Sequence, residues 1–566
     1  MSQSPLAIAF AQHKAGRLAE AEAAYRHLLA AAPGNTDIAM LLGLLLDQRG
    51  VHDEAVQHLG RVAKAKSNDP TAHYNLALAL QHAGRGSEAA AHYRRALALR
   101  PDYLAARVNL GNVLADSGSD GDAIAVFREG LARHGDQADL HFNLARVLQH
   151  AGQLDDARTH YRAALALKPD LAGAINNLGL LLQARGESDE AIALYRKGLA
   201  TNPSNVDLLL NLGNSLTLVD RFEEAIAVYR RAQAVAPQNV EAHHFESFML
   251  LLLGRFQEGW EAYEWRLRTP PMQSKTARYP QARWNGQRGL AGRLLIWNEQ
   301  GVGDELMFLG LLPELAREMK LLVECDARLL ALFRRSLPAI EFVARPPEGS
   351  AVLQWPADIA AQCPAGSLMR HLRPDLASFA PGAAYLTADL ERRDALRSRY
   401  GGDRLRVGIA WHTTAPNAGL RRQLPLSKLT PLLRHPGARF ISLQYGDHAA
   451  AIASLADQGI ELWQDPEIDV WNDLDGWAAQ IAALDLVVTI DNSTAHMAGA
   501  LGVPCWVMLP HPPEWRWLLE RTDCLWWPSL QLFRQTRPGD WDPVIAELTA
   551  RLAERIASKR GGQALS

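Results

Sequence analysis

Six consecutive residues, Asp491-Asn492-Ser493-Thr494-Ala495-His496, carry a carboxylate, a carboxamide, two hydroxyls and an imidazole. The apolar run LDLVVTI precedes them; an Ala/Gly-rich stretch and a second apolar run follow. That order reads as strand, tight turn, helix, strand. The first N–H groups of such a helix lack partners and the helix dipole adds its attraction, so the turn suits a phosphate or diphosphate. Ser493 and Thr494 add hydroxyl donors, and His496 can bond a phosphate or brace the turn. An N-capped helix without a ligand explains the same residues equally well. Asp304, after Gly301-Val302-Gly303, is a second candidate. A carboxylate there can take a proton from an attacking hydroxyl, or can merely favour a helix dipole. Glu299 and Glu305 are the nearest alternatives. Thr413 and Thr414 follow the run VGIAWH, with Arg421 and Arg422 in the same loop. Guanidinium groups bind phosphate bidentately and offset leaving-group charge; a solvated pair is the alternative. Gln444, after FISL, is placed to meet a nucleotide base or ribose.

These residues need a frame that brings strand ends together. From about residue 291 strand and helix signals alternate: RLLIWNEQ, then GDELMFLGLLPELAREM, then LLVEC, then ARLLALFRRS. A second alternation begins at RLRVGIAWH and ends with the long helix WDPVIAELTARLAERIASK. Two Rossmann-like units in series are expected, residues 291–400 and 401–566, with the candidate residues at the carboxyl ends of strands. The first unit looks short. Residues 269–290 are polar and broken by Pro and Gly, and read as a linker or irregular bridge. The Trp-rich stretch EWRWLLERTDCLWWPSL reads as core or interface packing.

The first half is periodic. Tyr25, Tyr93, Tyr161, Tyr195, Tyr229 and Tyr263 share one 34-residue lattice, with Leu59 and Phe127 in its other places. Gly16, Gly50, Gly84, Gly118, Gly152, Gly186 and Gly254 keep the same step, with Asp220 as the exception. Ala21, Ala55, Ala89, Ala123, Ala157, Ala191 and Ala225 do too. Each unit reads as two amphipathic helices, Gly at their turn and Ala at their close approach. This pattern resembles the tetratricopeptide repeat (TPR), about eight units over residues 1–268, stacked as an α-solenoid with a concave groove. Asn75, Asn109, Asn143, Asn177 and Asn211 form a further column on five successive first helices. A row of carboxamides can grip an extended peptide backbone without reading its side chains; it can also bond within its own repeats. The O-GlcNAc transferase array has a similar asparagine ladder.

The second half carries its own resemblance. DNSTAHMAGALGVPCW, EQGVGDELMFLGLLP, VGIAWHTTAPNAGLRRQLPL and FISLQYG resemble segments of the ADP-heptose:lipopolysaccharide heptosyltransferases, glycosyltransferase family 9, over about residues 290–560. The resemblance implies a GT-B glycosyltransferase domain with Asp304 as general base. It implies a donor site from Thr413, Thr414, Arg421, Arg422, Gln444, Asp491, Asn492, Ser493, Thr494, Ala495 and His496. Repeats joined to such a domain resemble bacterial TPR-containing protein glycosyltransferases, including those that modify flagellin. The expectation is an inverting, metal-independent O-glycosyltransferase that moves a sugar from a nucleotide-sugar to Ser/Thr hydroxyls of an acceptor protein, with no cofactor beyond that donor. A lipopolysaccharide or polysaccharide sugar transferase and a non-catalytic scaffold are the rivals. The sugar and base stay open among ADP-heptose, CMP-activated nonulosonic acids and UDP-sugars.

Composition narrows the remaining classes. A chain of 566 residues is too long for one core. Its net charge of −3 argues against a bulk electrostatic grip on nucleic acid. The four cysteines form no CxxC pair, and no apolar stretch is long enough to span a membrane, so a reduced, cytoplasmic protein without a signal peptide is expected. All 15 tryptophans lie at or after Trp260, which marks a change of architecture.

Overall fold

A computed structural model describes residues 4–347, 354–379, 383–413 and 422–563, with side chains to residue 559. Two compact units divide at Val219/Asp220.

The first unit is built of antiparallel helix pairs, from Pro5–Lys14 with Leu18–Ala31 onward to Val206–Leu218. Asn35, Asp69 and Asn205 cap first helices by accepting from backbone N–H groups two or three residues on. The lattice glycines all hold φ between +73° and +79°, the left-handed conformation that closes a helix end. The alanine column is wholly buried, which lets paired helices approach. Among the described residues no helix is long and apolar enough to cross a membrane.

The second unit begins with helices in the repeat pattern, Phe222–Val235, Val240–Leu252 and Phe256–Tyr263. Asp220 replaces the lattice glycine at φ +60°, and its carboxylate bonds His511 Nε2 at 2.7 Å. Asp tolerates that backbone better than most residues. Trp260 and Tyr263 are buried in the same apolar core as the α/β part, and the Trp260 indole donates to Arg373 O at 2.8 Å. The helical pattern thus runs to Tyr263, while packing groups its last helices with the sheets. Residues 269–290 are anchored as well. They include the helix Pro270–Thr276; Trp284 N donates to Gln362 O, and Gln362 N donates to Ala282 O.

Two parallel sheets follow. The first has β1 (Arg293–Trp297), β2 (Leu321–Cys325), β3 (Glu341–Ala344) and β4 (Ile359–Pro364), ordered β3-β2-β1-β4. The second has β5 (Leu405–Ala410), β6 (Ala438–Ser442), β7 (Leu462–Trp463), β8 (Leu486–Ile490), β9 (Cys505–Leu509) and β10 (Leu530–Arg534), ordered β10-β9-β8-β5-β6-β7. Every pairing is parallel. Both orders reverse direction beside the first strand, between β1 and β4 and between β5 and β8. That is the doubly wound arrangement, which opens a crevice at the carboxyl ends of the strands. The helix Leu390–Arg399, expected in the first α/β unit, packs instead on Leu474–Ala482 of the second, and Arg397 and Arg399 pair with Asp485 and Asp465. Its Leu396 and Tyr400 sit in the shared core, so packing moves that boundary towards residue 385. The closing helix Asp542–Gln563 lays Val544, Ile545, Leu548, Leu552 and Ile556 on the second sheet.

Candidate functional site

A pocket of about 450 Å³ lies where the carboxyl ends of the two sheets meet. β1 leads to Gly301–Asp304, β5 to Thr413, β8 to Asp491, Asn492, Ser493 and His496, and β9 to Glu514 and Arg516; all of these line it. The turns from the two sheets are in close contact. A Cβ on Gly303 would lie 3.3 Å from Ser493 Cα and 3.4 Å from His496 Cδ2, so only glycine leaves this approach unstrained.

Asp304 lies in the first turn of the helix Val302–Leu309 and is ion-paired with Arg516. Arg516 also holds Glu514 at 2.8 Å, Glu514 pairs with Arg422, and Arg422 Nε lies 3.2 Å from Asp491. Charges alternate along this chain from one wall of the pocket to the other. The two alternative carboxylates are engaged elsewhere. Glu305 is buried, accepts from Asp326 N and Arg345, and burial lifts its carboxyl to about 7. Glu299 is locked to Arg266 at 2.6 Å. Neither lines the pocket.

The turn after β8 caps its helix and also leaves buried polar atoms unspent. Asn492 Oδ1 accepts from Thr494 N at 3.0 Å and from Thr489 Oγ1 at 2.9 Å, so Asn492 is a true cap of the helix Ser493–Ala500. Asn492 Nδ2, Thr494 Oγ1 and Asp491 Oδ1 are nevertheless buried without a hydrogen-bond partner, and Asp491 Oδ2 has only its ion contact with Arg422. Such atoms are costly unless something occupies them. Burial raises the Asp491 carboxyl to about 6 against the pull of Arg422. His496 is driven down to about 3, chiefly by burial and then by Arg516, so it is neutral. Its Nδ1 accepts from the Trp527 indole at 3.3 Å, which leaves the hydrogen on Nε2. Thr494 and Ala495 are fully buried and face the helix–sheet packing rather than the pocket wall.

Gln444 is not on the pocket wall. Its Oε1 accepts from Trp411 N and His412 N, and its Nε2 donates to His412 O and Tyr445 O. With all four bonds spent on backbone, it shapes the β5 loop and does not read a ligand. Thr414 and Arg421 lie outside the described residues. In the repeats, Asn109 Nδ2 donates to the hydroxyls of Tyr74 and Tyr93, and Asn177 Nδ2 to that of Tyr161. Asn211 donates to Asn176 Oδ1, Asn143 to Asp139 O in its own helix, and Asn75 to Met40 Sδ at 3.7 Å. The column is half-buried and its amide nitrogens bond within the array.

Arg516, Glu514, Arg328 and Trp471 also line the pocket, and the sequence reading passed over them. Arg516 and Glu514 stand in the Trp-rich segment, whose Trp515, Trp526 and Trp527 are buried packing, while the buried Trp517 stacks on His496 at the pocket. Their signal was position: they follow β9 as the turn residues follow β8.

These features define a class: a TPR α-solenoid joined in one chain to a parallel α/β part with a polar pocket at its strand ends. TPR family models match residues 12–79, 74–134, 136–204 and 176–240. The chain is 33% identical over 318 residues to Protein FlbA of Caulobacter vibrioides, covering 53% of each chain, so it spans about half the length of that curated relative. Among solved structures it is similar to YrrB, a TPR protein with an unusual peptide-binding site: 23% identity, 33% of this chain and 96% of that one, TM-score 0.29. It is also similar to the C-terminal part of a TPR repeat-containing protein from Cytophaga hutchinsonii: 16% identity, 42% and 98% coverage, TM-score 0.37.

Proposed function

We propose that the chain is an inverting O-glycosyltransferase of GT-B type, moving a sugar from a nucleotide-sugar to Ser/Thr hydroxyls of an acceptor protein held by the repeats. One observation carries this reading. A pocket carboxylate from the first sheet, Asp304, shares the pocket with a helix N-terminus, two arginines and the unspent Asn492 Nδ2 from the second. In the reaction Asp304 takes the proton of the acceptor hydroxyl as its oxygen attacks the anomeric carbon. The bond from that carbon to the diphosphate oxygen breaks on the opposite face. Arg422, Arg516 and the N–H groups that open the helix Ser493–Ala500 take up the charge of the departing nucleotide. Arg516 starts out paired with Asp304, so a diphosphate that captures Arg516 also frees the base. The neutral His496 can donate from Nε2 without adding charge.

Acceptor binding falls to the repeats, and a flagellin-like protein follows from the resemblance noted above. In this reading the asparagine column offers the donor and acceptor capacity left over from its bonds within the array. Intact-mass analysis of candidate acceptors from cells with and without the active gene tests the whole reading. A sugar-sized mass increment that depends on the gene supports it. An increment on lipopolysaccharide or polysaccharide alone replaces the acceptor class, and none on either leaves a scaffold.

A further inference from the structure

We infer that Asp47, His52 and His82 form a site for a divalent transition-metal ion on the repeat array, joining its second and third units. Asp47 lies in the last turn of the helix Thr36–Gln48, His52 starts His52–Ala65, and His82 ends Pro70–His82. Asp47 Oδ1 lies 2.8 Å from His52 Nδ1, and Oδ2 lies 3.0 Å from His82 Nδ1. One ligand atom from each residue falls within 4.8 Å of the other two.

The repeat lattice shows that this cluster is not the usual use of the position. In three units the residue twelve before the lattice tyrosine meets the tyrosine hydroxyl. Tyr93 donates to Gln81 at 2.9 Å, Tyr161 donates to Gln149 at 2.7 Å, and Tyr25 lies 3.5 Å from His13. In the second unit the tyrosine is Leu59, and the residue twelve before it is Asp47. With no hydroxyl to bond, this carboxylate has no such role, yet its side chain is only 10% exposed. It is held by two imidazoles instead. Two units later the counterparts of His52 and His82 are Asp120 and His150, paired at 2.7 Å, but the counterpart of Asp47 is Ala115. Three ligands therefore meet at one level, and a plain pair forms at the other.

The geometry is close to that of a bound ion. Tetrahedral bonds of about 2.0–2.1 Å set ligand atoms about 3.3 Å apart. Opening the present contacts by a few tenths of an ångström admits the ion. Each histidine ligates as the neutral imidazole, through Nδ1 with its hydrogen on Nε2, and water completes the shell beside His82, whose side chain is 44% exposed. Two imidazole nitrogens and one carboxylate oxygen favour zinc, cobalt, nickel or copper over magnesium or calcium. The ligands lie five and thirty residues apart, a spacing that shows nothing in the sequence until the helices stack.

The test uses the untagged full chain, stripped with a chelator and titrated with cobalt(II). The expected result is visible ligand-field absorption that saturates at one ion per chain, is displaced by zinc(II) and raises the melting temperature. His82→Gln and His52→Gln are each expected to weaken cobalt binding at least about tenfold, the loss of one ligand. Metal-free melting of both variants should match the parent, and His150→Gln should bind as the parent does. No saturable absorption, or absorption unchanged in both variants, overturns the inference.

Discussion

At the residue scale the pocket holds its charges in an alternating chain of ion pairs. Under the proposed function Asp304 acts as a base only after Arg516 lets go of it. Asp304→Asn is therefore expected to keep nucleotide binding and to lower sugar transfer by about 10²-fold or more, read from kcat beside a nucleotide-binding isotherm. Near-normal transfer would remove Asp304 from the mechanism. Asp491 gives a pH signature. Burial raises its carboxyl to about 6 in the fold, whereas the unfolded chain titrates near 4. Between those values the folded state binds more protons, so stability falls as pH rises through that window, by at most about 1.4 kcal/mol per pH unit. Asp491→Asn removes that loss. Its gain in melting temperature over the parent should be larger at pH 7.5 than at pH 4.5; equal gains would show that the carboxylate is not strained by burial.

At the element scale, the repeats rest on contacts the lattice repeats. The asparagine column divides into two kinds. Asn109 and Asn177 tie one unit's first helix to the tyrosine of the unit before, whereas Asn143 bonds a carbonyl of its own helix. Asn109→Ala and Asn177→Ala should each cost about 0.5–1.5 kcal/mol in thermal or denaturant melting, and Asn143→Ala much less. A uniform response along the column would refute that division. Close packing is tighter still. A Cβ on Gly179 would fall 2.2 Å from the Tyr195 ring, so Gly179→Ala is expected to destabilise the array by about 1–3 kcal/mol. A melting curve indistinguishable from the parent would mean that the ring has room to move.

For the whole molecule, the helices after Val219 have changed allegiance. Trp260 is 1% exposed, meets Trp515 edge-on at 5.4 Å, and shares one apolar core with both sheets. Arg266 is buried and tied to Glu299 and Ser367. A fragment of residues 220–566 is expected to be soluble, with a cooperative melt. A fragment of 269–566 loses Trp260, Tyr263 and Arg266 and leaves Glu299 buried without its cation, so it should aggregate or bind a hydrophobic dye. Equal behaviour of the two fragments would show that the last repeat helices are dispensable to the α/β fold.

Periodicity made the repeats legible in the sequence, because each helix pair meets only its neighbours and the same contacts recur every 34 residues. The glycine turns, the buried alanines and Asp220 as the exception could all be read from spacing. So could the alternating α/β pattern and the turns after β1, β5 and β8, since apolar runs ending in small polar residues mark strand ends. Tertiary structure decided what depends on distant partners. It turned Gln444 inward to four backbone groups, drew Arg516 and Glu514 out of a packing segment into the pocket, and moved Leu390–Arg399 to the second sheet. It also brought Asp47 and His52 to His82 across a repeat boundary. Local spacing records which face a side chain takes on its own element; which charge it meets is set by the packing of elements far apart in the chain.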